Sequence, residues 1–273
     1  MAAQRTLTRR ELLRWSAGSL LAAGLWPGAL RAEGDGAAAD FRFVVVNDLH
    51  YVDAACGRWL ETVIARMKAD QDQPAFCLLA GDLANDGTRE QLAGVRDVFK
   101  TLGVPVCAVI GNHDWLGFDD RKPYEELFQK QLSYHFDHDG WLLLGLDTTD
   151  GQHWAKTAVQ KPTLDWLDET LPKLDKKRPM IVFTHFPLGA GVQYRPANAD
   201  DVLARFKEHN LRAVFCGHFH GFTERKVGDA VLTTNRCCAL KRGNHDGTKE
   251  KGYFLCHVKD GNVERKFVEI KPA

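Results

Sequence analysis

An α/β fold, with strands in two sheets and helices on the outside, is predicted by three observations. Six short apolar runs between residues 41 and 216 have the length and unbroken hydrophobicity of buried strands. Amphipathic segments of helical period separate the early ones. After His220 the pattern changes to short strands with turn signals, so early helix alternation gives way to a late meander.

In chain order the runs are 41–46, 76–80, 104–110, 141–146, 180–183 and 211–216. Between the first two, Leu60, Val63, Ile64 and Met67 fall on one helical face; between the next two, Leu92, Val95, Phe99 and Leu102 do the same. Residues 164–171 read as a further helix, with Pro162 near its start, where a missing N–H costs no helical bond. The late strands are 222–227, 230–234, 253–258 and 263–270, the last pair joined by Asp260-Gly261. There is no internal repeat, and one domain is expected over residues 40–273.

The chain has 273 residues and a formal net charge of zero, but residues 1–32 hold five Arg and one Glu. The remainder carries 31 basic against 35 acidic residues, a net charge of −4. That balance excludes nucleic-acid or anionic-membrane binding through bulk charge. Thr8-Arg9-Arg10-Glu11-Leu12-Leu13-Arg14 precedes a small, apolar stretch from Trp15 to Leu25 and reads as a twin-arginine export signal. The alternative is an uncleaved membrane anchor, but Ser16, Gly18, Ser19 and Gly24 interrupt the stretch, which falls short of the ~20 apolar residues of a spanning helix. Cleavage fits after Ala32 or within Ala37-Ala38-Ala39, and residues 33–39 read as a linker. The expected location is therefore periplasmic or extracellular, with the twin-arginine machinery as a partner and no stable membrane insertion after cleavage.

Seven cysteines make an odd number without a disulfide spacing. Cys77, Cys107 and Cys216 lie inside apolar runs, where cysteine acts as a small hydrophobe. Adjacent Cys237 and Cys238 read as paired structural thiols, with a vicinal disulfide as the alternative. No CxxC pair exists, which excludes a structural zinc ribbon.

Five polar blocks stand at or just beyond the ends of apolar runs: Asp48-Leu49-His50, Gly81-Asp82, Gly111-Asn112-His113-Asp114, Thr184-His185 and Gly217-His218-Phe219-His220. Side chains at strand ends of an α/β sheet converge on one rim. Each block alone is common, and a lone His in an apolar run is usually a satisfied core residue. Five in succession supply Asp, Asn and His ligands for hard-to-borderline metals, with no cysteine among them.

On these blocks, together with Leu83-Ala84-Asn85-Asp86-Gly87 after Asp82, the chain resembles the calcineurin-like metallophosphoesterase superfamily across residues 41–220. The resemblance implies a four-layer αββα sandwich of two mixed sheets flanked by helices. It implies that Asp48, His50, Asp82 and His220 bind one metal and that Asp82, Asn112, His185 and His218 bind another, with Asp82 bridging. Two such cations, about 3.5 to 4 Å apart, hold a bridging hydroxide for in-line attack on a phosphoester. The ligand set accepts Mn, Fe, Zn or Co, as divalent or mixed-valence ions. His113, beside the ligand Asn112, is placed to protonate the leaving alkoxide with Asp114 orienting it; the alternative is a loop-stabilising hydrogen bond.

Gly243-Asn244-His245-Asp246 repeats the third block but follows Lys241-Arg242 rather than an apolar run, and reads as a surface turn. Its loop is positioned to overhang the site together with Asn235, Arg236 and Lys241. Tyr51, Trp115 and Tyr194 are further candidate substrate contacts, with core packing as the alternative. His135, His138, His153, His209 and His257 fit no ligand spacing. The purple acid phosphatase branch carries a Tyr soon after the bridging Asp, where this chain has Leu83, Ala84 and Asn85. Lipid A precursor hydrolases usually have Arg where His113 stands. The form around Asp82 looks more like class III cyclic-nucleotide phosphodiesterases and small phosphatases. The expectation is an exported, two-metal phosphoesterase of small phosphomonoesters or phosphodiesters. A protein phosphatase of the same fold and a catalytically silent metal-binding scaffold are the alternatives.

Overall fold

The computed structural model describes residues 40–69 and 73–271; the expected leader and the expected linker lie outside the described residues. Strands β1 (Phe41–Val46), β2 (Cys77–Ala80) and β3 (Val106–Val109) alternate with helices α1 (Ala54–Lys68) and α2 (Arg89–Lys100). Helix α3 (Lys122–Leu127) leads to β4 (Tyr134–His138) and β5 (Trp141–Leu146), followed by α4 (Lys161–Thr170), β6 (Met180–Thr184), α5 (Ala199–Arg205) and β7 (Leu211–Cys216). Two hairpins complete the chain: β8 (Thr223–Val227) with β9 (Ala230–Thr234), and β10 (Lys251–Lys259) with β11 (Asn262–Ile270).

The strands form two mixed sheets, one in the order β11-β10-β1-β2-β3 and the other in the order β4-β5-β6-β7-β9-β8. β1, β2 and β3 run parallel, as do β5, β6, β7 and β9; β10 joins β1 antiparallel. Three apolar clusters fill the spaces between layers. The two-residue period of β1 sends Val44 and Val46 outward to α1 and α2, and Phe43 and Val45 inward to Phe183 and Phe215 of the second sheet. On the far side, Leu144 and Val182 pack against Leu167 of α4 and Val202 of α5. Helix, sheet, sheet and helix are thus the four layers the resemblance implied.

The helices start where their first turns find partners. The Asp53 carboxylate accepts from the Ala55 and Cys56 N–H groups at the head of α1, and Thr88 accepts from Gln91 N–H at the head of α2. Several elements differ from the sequence expectation. Strand β4 was not anticipated, because Tyr-His-Phe-Asp-His lies half-buried at a sheet edge and shows no apolar run. Helices α3 and α5, with 6 and 7 residues, are too short for a helical period to stand out. The late strands are not one meander, since β8 and β9 extend the second sheet while β10 and β11 extend the first.

All seven cysteines are buried and free, so Cys237 and Cys238 are structural thiols rather than a vicinal disulfide. Among the described residues no helix is long and apolar enough to cross a membrane.

Candidate metal centre

The five blocks lie at the C-terminal ends of parallel strands: three after β1, β2 and β3, and two after β6 and β7. Because the sheets face each other, these ends meet at one rim. Backbone bonds stitch the loops together there. Leu49 and His50 N–H donate to the Asp82 carbonyl at 2.9 and 3.0 Å, and Gly217 N–H donates to the His185 carbonyl at 2.9 Å. The approach is close enough that a Cβ on Gly111 would lie 2.2 Å from Asp82 Oδ1, so only glycine fits.

The ligand atoms of Asp48, His50, Asp82 and His220 lie within 4.8 Å of one another, and so do those of Asp82, His185 and His218. Asp82 is common to both groups and divides its carboxylate between them, with Oδ2 3.5 Å from His50 Nε2 and Oδ1 3.2 Å from His185 Nε2. Asn112 Oδ1 joins the second group 3.2 Å from His185 Nε2. All seven expected ligands are therefore brought together, each no more than 7% exposed.

The rings are oriented from behind. A carbonyl accepts His185 Nδ1–H (Ala80, 3.0 Å), His220 Nδ1–H (Gly243, 3.1 Å) and His218 Nε2–H (Trp154, 2.8 Å). Each bond leaves the other ring nitrogen, with its lone pair, facing the cluster. His50, whose Nδ1 has no such backing bond, brings its Nε2 to 3.1 Å from His220 Nε2, a contact that a shared proton or a cation relieves. The donor set and this convergence fit two oxygen- and nitrogen-seeking cations.

Within the cluster, carboxylates and imidazoles pair. Burial opposes ionisation of Asp48 and Asp82, yet the facing imidazoles, His220 for one and His185 for the other, hold both carboxyls below the usual range. Against the same burial, Asp82 raises His185 to about 9 and Asp48 raises His220 to about 11. Burial, then the charge of His185, takes His218 down to about 4.

His113 stands beside the first group, its ring 4.7 Å from that of His50, and its backbone N–H donates to Asp82 Oδ1 at 2.9 Å. Asp114 does not orient it. The tight 3₁₀ turn Asn112–Asp114 folds that carboxylate back under the loop, where it accepts from Ala84 and Gly111 N–H, both at 2.8 Å. The Asn85 carbonyl does the orienting, accepting His113 Nδ1–H at 2.7 Å where His113 lines the cavity.

A cavity of about 570 Å³ opens over the ligands, lined on its upper walls by Asn85, His113, Trp154, Tyr194, Arg242 and His245. Of Tyr51, Trp115, Tyr194, Asn235, Arg236 and Lys241, the rim residues expected from sequence, only Tyr194 lines it. Tyr51 packs against the first apolar cluster beneath α1 and α2, close to Gly57 and Gly94. Trp115 packs against that cluster too and donates to Thr149 Oγ1 at 3.1 Å. Asn235 is buried, its carbonyl accepting from Asn47 Nδ2. Arg236 turns away to Thr248 and lies over the Phe267 ring, and Lys241 pairs with Asp53. None of the five histidines set aside in the sequence lines the cavity; His138, for one, packs between the rings of Phe41 and Phe76.

The repeated block does turn at the surface, but it also covers the site. Gly243 holds His220 through its carbonyl, and the His245 ring stacks on that of His220 at 4.8 Å and 17°. The expectation that this loop overhangs the site holds at His245, whereas sequence reading missed Arg242 and Trp154 as cavity residues. Their loops carry no strand-end signal, and only the letter-for-letter repeat pointed to residue 245.

A sequence model of the calcineurin-like phosphoesterase family matches residues 41–222. A relative from Fibrobacter succinogenes, named as a probable cyclic nucleotide phosphodiesterase, is 29% identical over 164 residues, which cover 57% of this chain and 61% of that one. The matched stretch thus spans less than two thirds of that relative's length. The glycerophosphodiester phosphodiesterase GpdQ of Enterobacter lignolyticus is 25% identical over 199 residues, 67% of this chain and 69% of the relative. Purple acid phosphatase PPD1 from yellow lupin seeds matches in structure with a TM-score of 0.62 at 14% identity, covering 85% of this chain and 52% of that one, a likeness of fold.

Proposed function

The chain belongs to the calcineurin-like phosphoesterase family, and on that premise we propose that it is an exported, two-metal hydrolase of small phosphodiesters or phosphomonoesters. The observation that carries the proposal is the division of the Asp82 carboxylate between two buried ligand groups, with a partly exposed His113 beside them. Asp48, His50 and His220 would hold one ion, Asn112, His185 and His218 the other, and Asp82 both. Bound there, Mn, Fe, Zn or Co ions supply an acidified water and positive charge for the phosphoryl oxygens, their four formal charges offset by only two carboxylates.

The chain's own residues do the rest. The deep position of the ligands fixes where the phosphorus sits, and His113 Nε2 lies on the wall above. As the attacking water forms the new P–O bond, the ester P–O bond breaks and its electron pair stays on the alcohol oxygen. His113, held by the Asn85 carbonyl through Nδ1–H and carrying a second proton on Nε2, gives that second proton to the oxygen and regains one from solvent between turnovers. The naming of relatives as cyclic nucleotide and glycerophosphodiester phosphodiesterases supports diesters as the first class to try.

The test uses the mature protein, stripped of metal and resupplied with Mn, Fe, Zn or Co. Hydrolysis of bis(p-nitrophenyl) phosphate or p-nitrophenyl phosphate returns with metal if the proposal holds, and the ratio of the two rates separates diesterase from monoesterase. Two bound metals without turnover of either ester would overturn it in favour of a binding scaffold.

A further inference from the structure

The cavity above the ligands has two unlike walls. One is aromatic, with Trp154 and Tyr194 rings 5.7 Å apart and the Trp154 carbonyl holding His218. The other is built on Asn85, which serves two partners at once. Its backbone carbonyl accepts from His113 Nδ1 at 2.7 Å, and its side-chain Oδ1 accepts from Arg242 Nη2 at 2.7 Å and Nε at 3.2 Å. One residue therefore sets the imidazole and the guanidinium side by side.

Among the described residues Arg242 is the one lysine or arginine in the cavity lining. Among the described residues it forms no ion pair, because its fork rests on a neutral amide. Asp86, the nearest acidic wall residue in sequence, is turned elsewhere: its oxygens accept from Asn85 Nδ2 at 2.8 Å and Gln91 Nε2 at 2.9 Å. The Arg242 carbonyl is itself tied to Lys251 Nζ, so the loop carrying the guanidinium is anchored. A half-buried guanidinium that is fixed in place and keeps its full charge is preorganised for an anion, and its rotamer entropy is already spent.

We propose that Arg242 recognises a second anionic group, a carboxylate or a phosphate, carried on the leaving alcohol, so that the site selects phosphoesters with a charged leaving group. This rests on His113 protonating the leaving oxygen, since the shared Asn85 puts Arg242 on the leaving-group side. The aromatic wall of Trp154 and Tyr194, which carries no lysine or arginine, is left for the retained substituent.

The test compares methyl p-nitrophenyl phosphate with methyl 3-carboxy-4-nitrophenyl phosphate on metal-loaded protein. Arg242→Gln lowers the ratio of kcat/KM for the carboxylated over the plain ester about ten- to a hundredfold, the range expected for losing one charge-assisted hydrogen-bonded contact. Arg242→Lys, which keeps the charge without the fork, falls between. Equal losses on both esters overturn the proposal and place Arg242 on the scissile phosphate or behind Asn85. If Arg242→Gln does not fold, product inhibition of the unaltered protein decides. There, 5-hydroxy-2-nitrobenzoate inhibits at about tenfold lower concentration than 4-nitrophenol, by the same contact, and equal inhibition overturns the assignment. Wild-type protein that binds two metals and cleaves neither ester removes the phosphoesterase reading, and the Arg242 assignment with it.

Discussion

Five of the seven ligand residues take a left-handed backbone: φ is 53° at Asp48, 43° at His50, 53° at Asp82, 65° at His218 and 48° at His220. Side chains other than glycine seldom adopt that region, and each such residue costs about 1–3 kcal/mol. The cost is tolerated because the twist at each strand end re-aims the side chain from the sheet face to the common rim. Asp82 is the residue on which both groups depend, so Asp82→Ala is expected to lose both metals and all activity, read by elemental analysis alongside turnover. His113 contributes no ligand atom to either group. His113→Ala is expected to keep two metals while kcat falls about 10²–10⁴-fold, the usual contribution of a positioned acid; an emptied site would show that His113 holds the metals instead. The seven residues that converge here were legible in the sequence, as was the place of His113 beside them. The partner of His113 was not, because a turn of three residues decides whether Asp114 points to the ring or beneath the loop.

At the level of elements, the site is a consequence of parallel strands ending together. β1, β2 and β3 deliver Asp48, Asp82 and Asn112, and β6 and β7 deliver His185 and the two later histidines. The clearance between the β2 and β3 loops is set by Gly111, whose Cβ position lies 2.2 Å from both Asp82 N and Oδ1. Its φ of −105° suits alanine, so the obstacle is contact alone. Gly111→Ala is therefore expected to push Asp82 off both groups and cut metal content well below two per chain, with the far-ultraviolet circular dichroism retained. Full metal content in that variant would show that the loop yields. The buried strands and the longer helices were legible because their periods are strong. β4, α3 and α5 were not, since a half-polar edge strand and helices of two turns at most leave no period to read.

Over the whole molecule, the core is three apolar clusters separating four layers, and no covalent crosslink assists it: all seven cysteines are buried thiols. A fold with no disulfide to form can be completed in a reducing compartment, which suits export of an already folded chain. Replacing Arg9 and Arg10 together with Lys is expected to leave the unprocessed, active protein in the cytoplasm of a host with twin-arginine machinery, as read by cell fractionation. Unchanged export would remove the leader reading.

The linear chain determined the fold class, the order of the strands that build the rim and the identity of the polar residues gathered there. These follow from local hydrophobic period and from short polar blocks at strand ends, signals that neighbouring residues carry unaided. Tertiary structure alone decided which sheet each late hairpin joins and that Tyr51, Trp115, Asn235 and Arg236 face away from the cavity. It also brought Arg242 across 157 positions to Asn85 and laid His245 on His220. Such contacts depend on loops whose course is set by what the packed sheets leave open, a constraint no local pattern records.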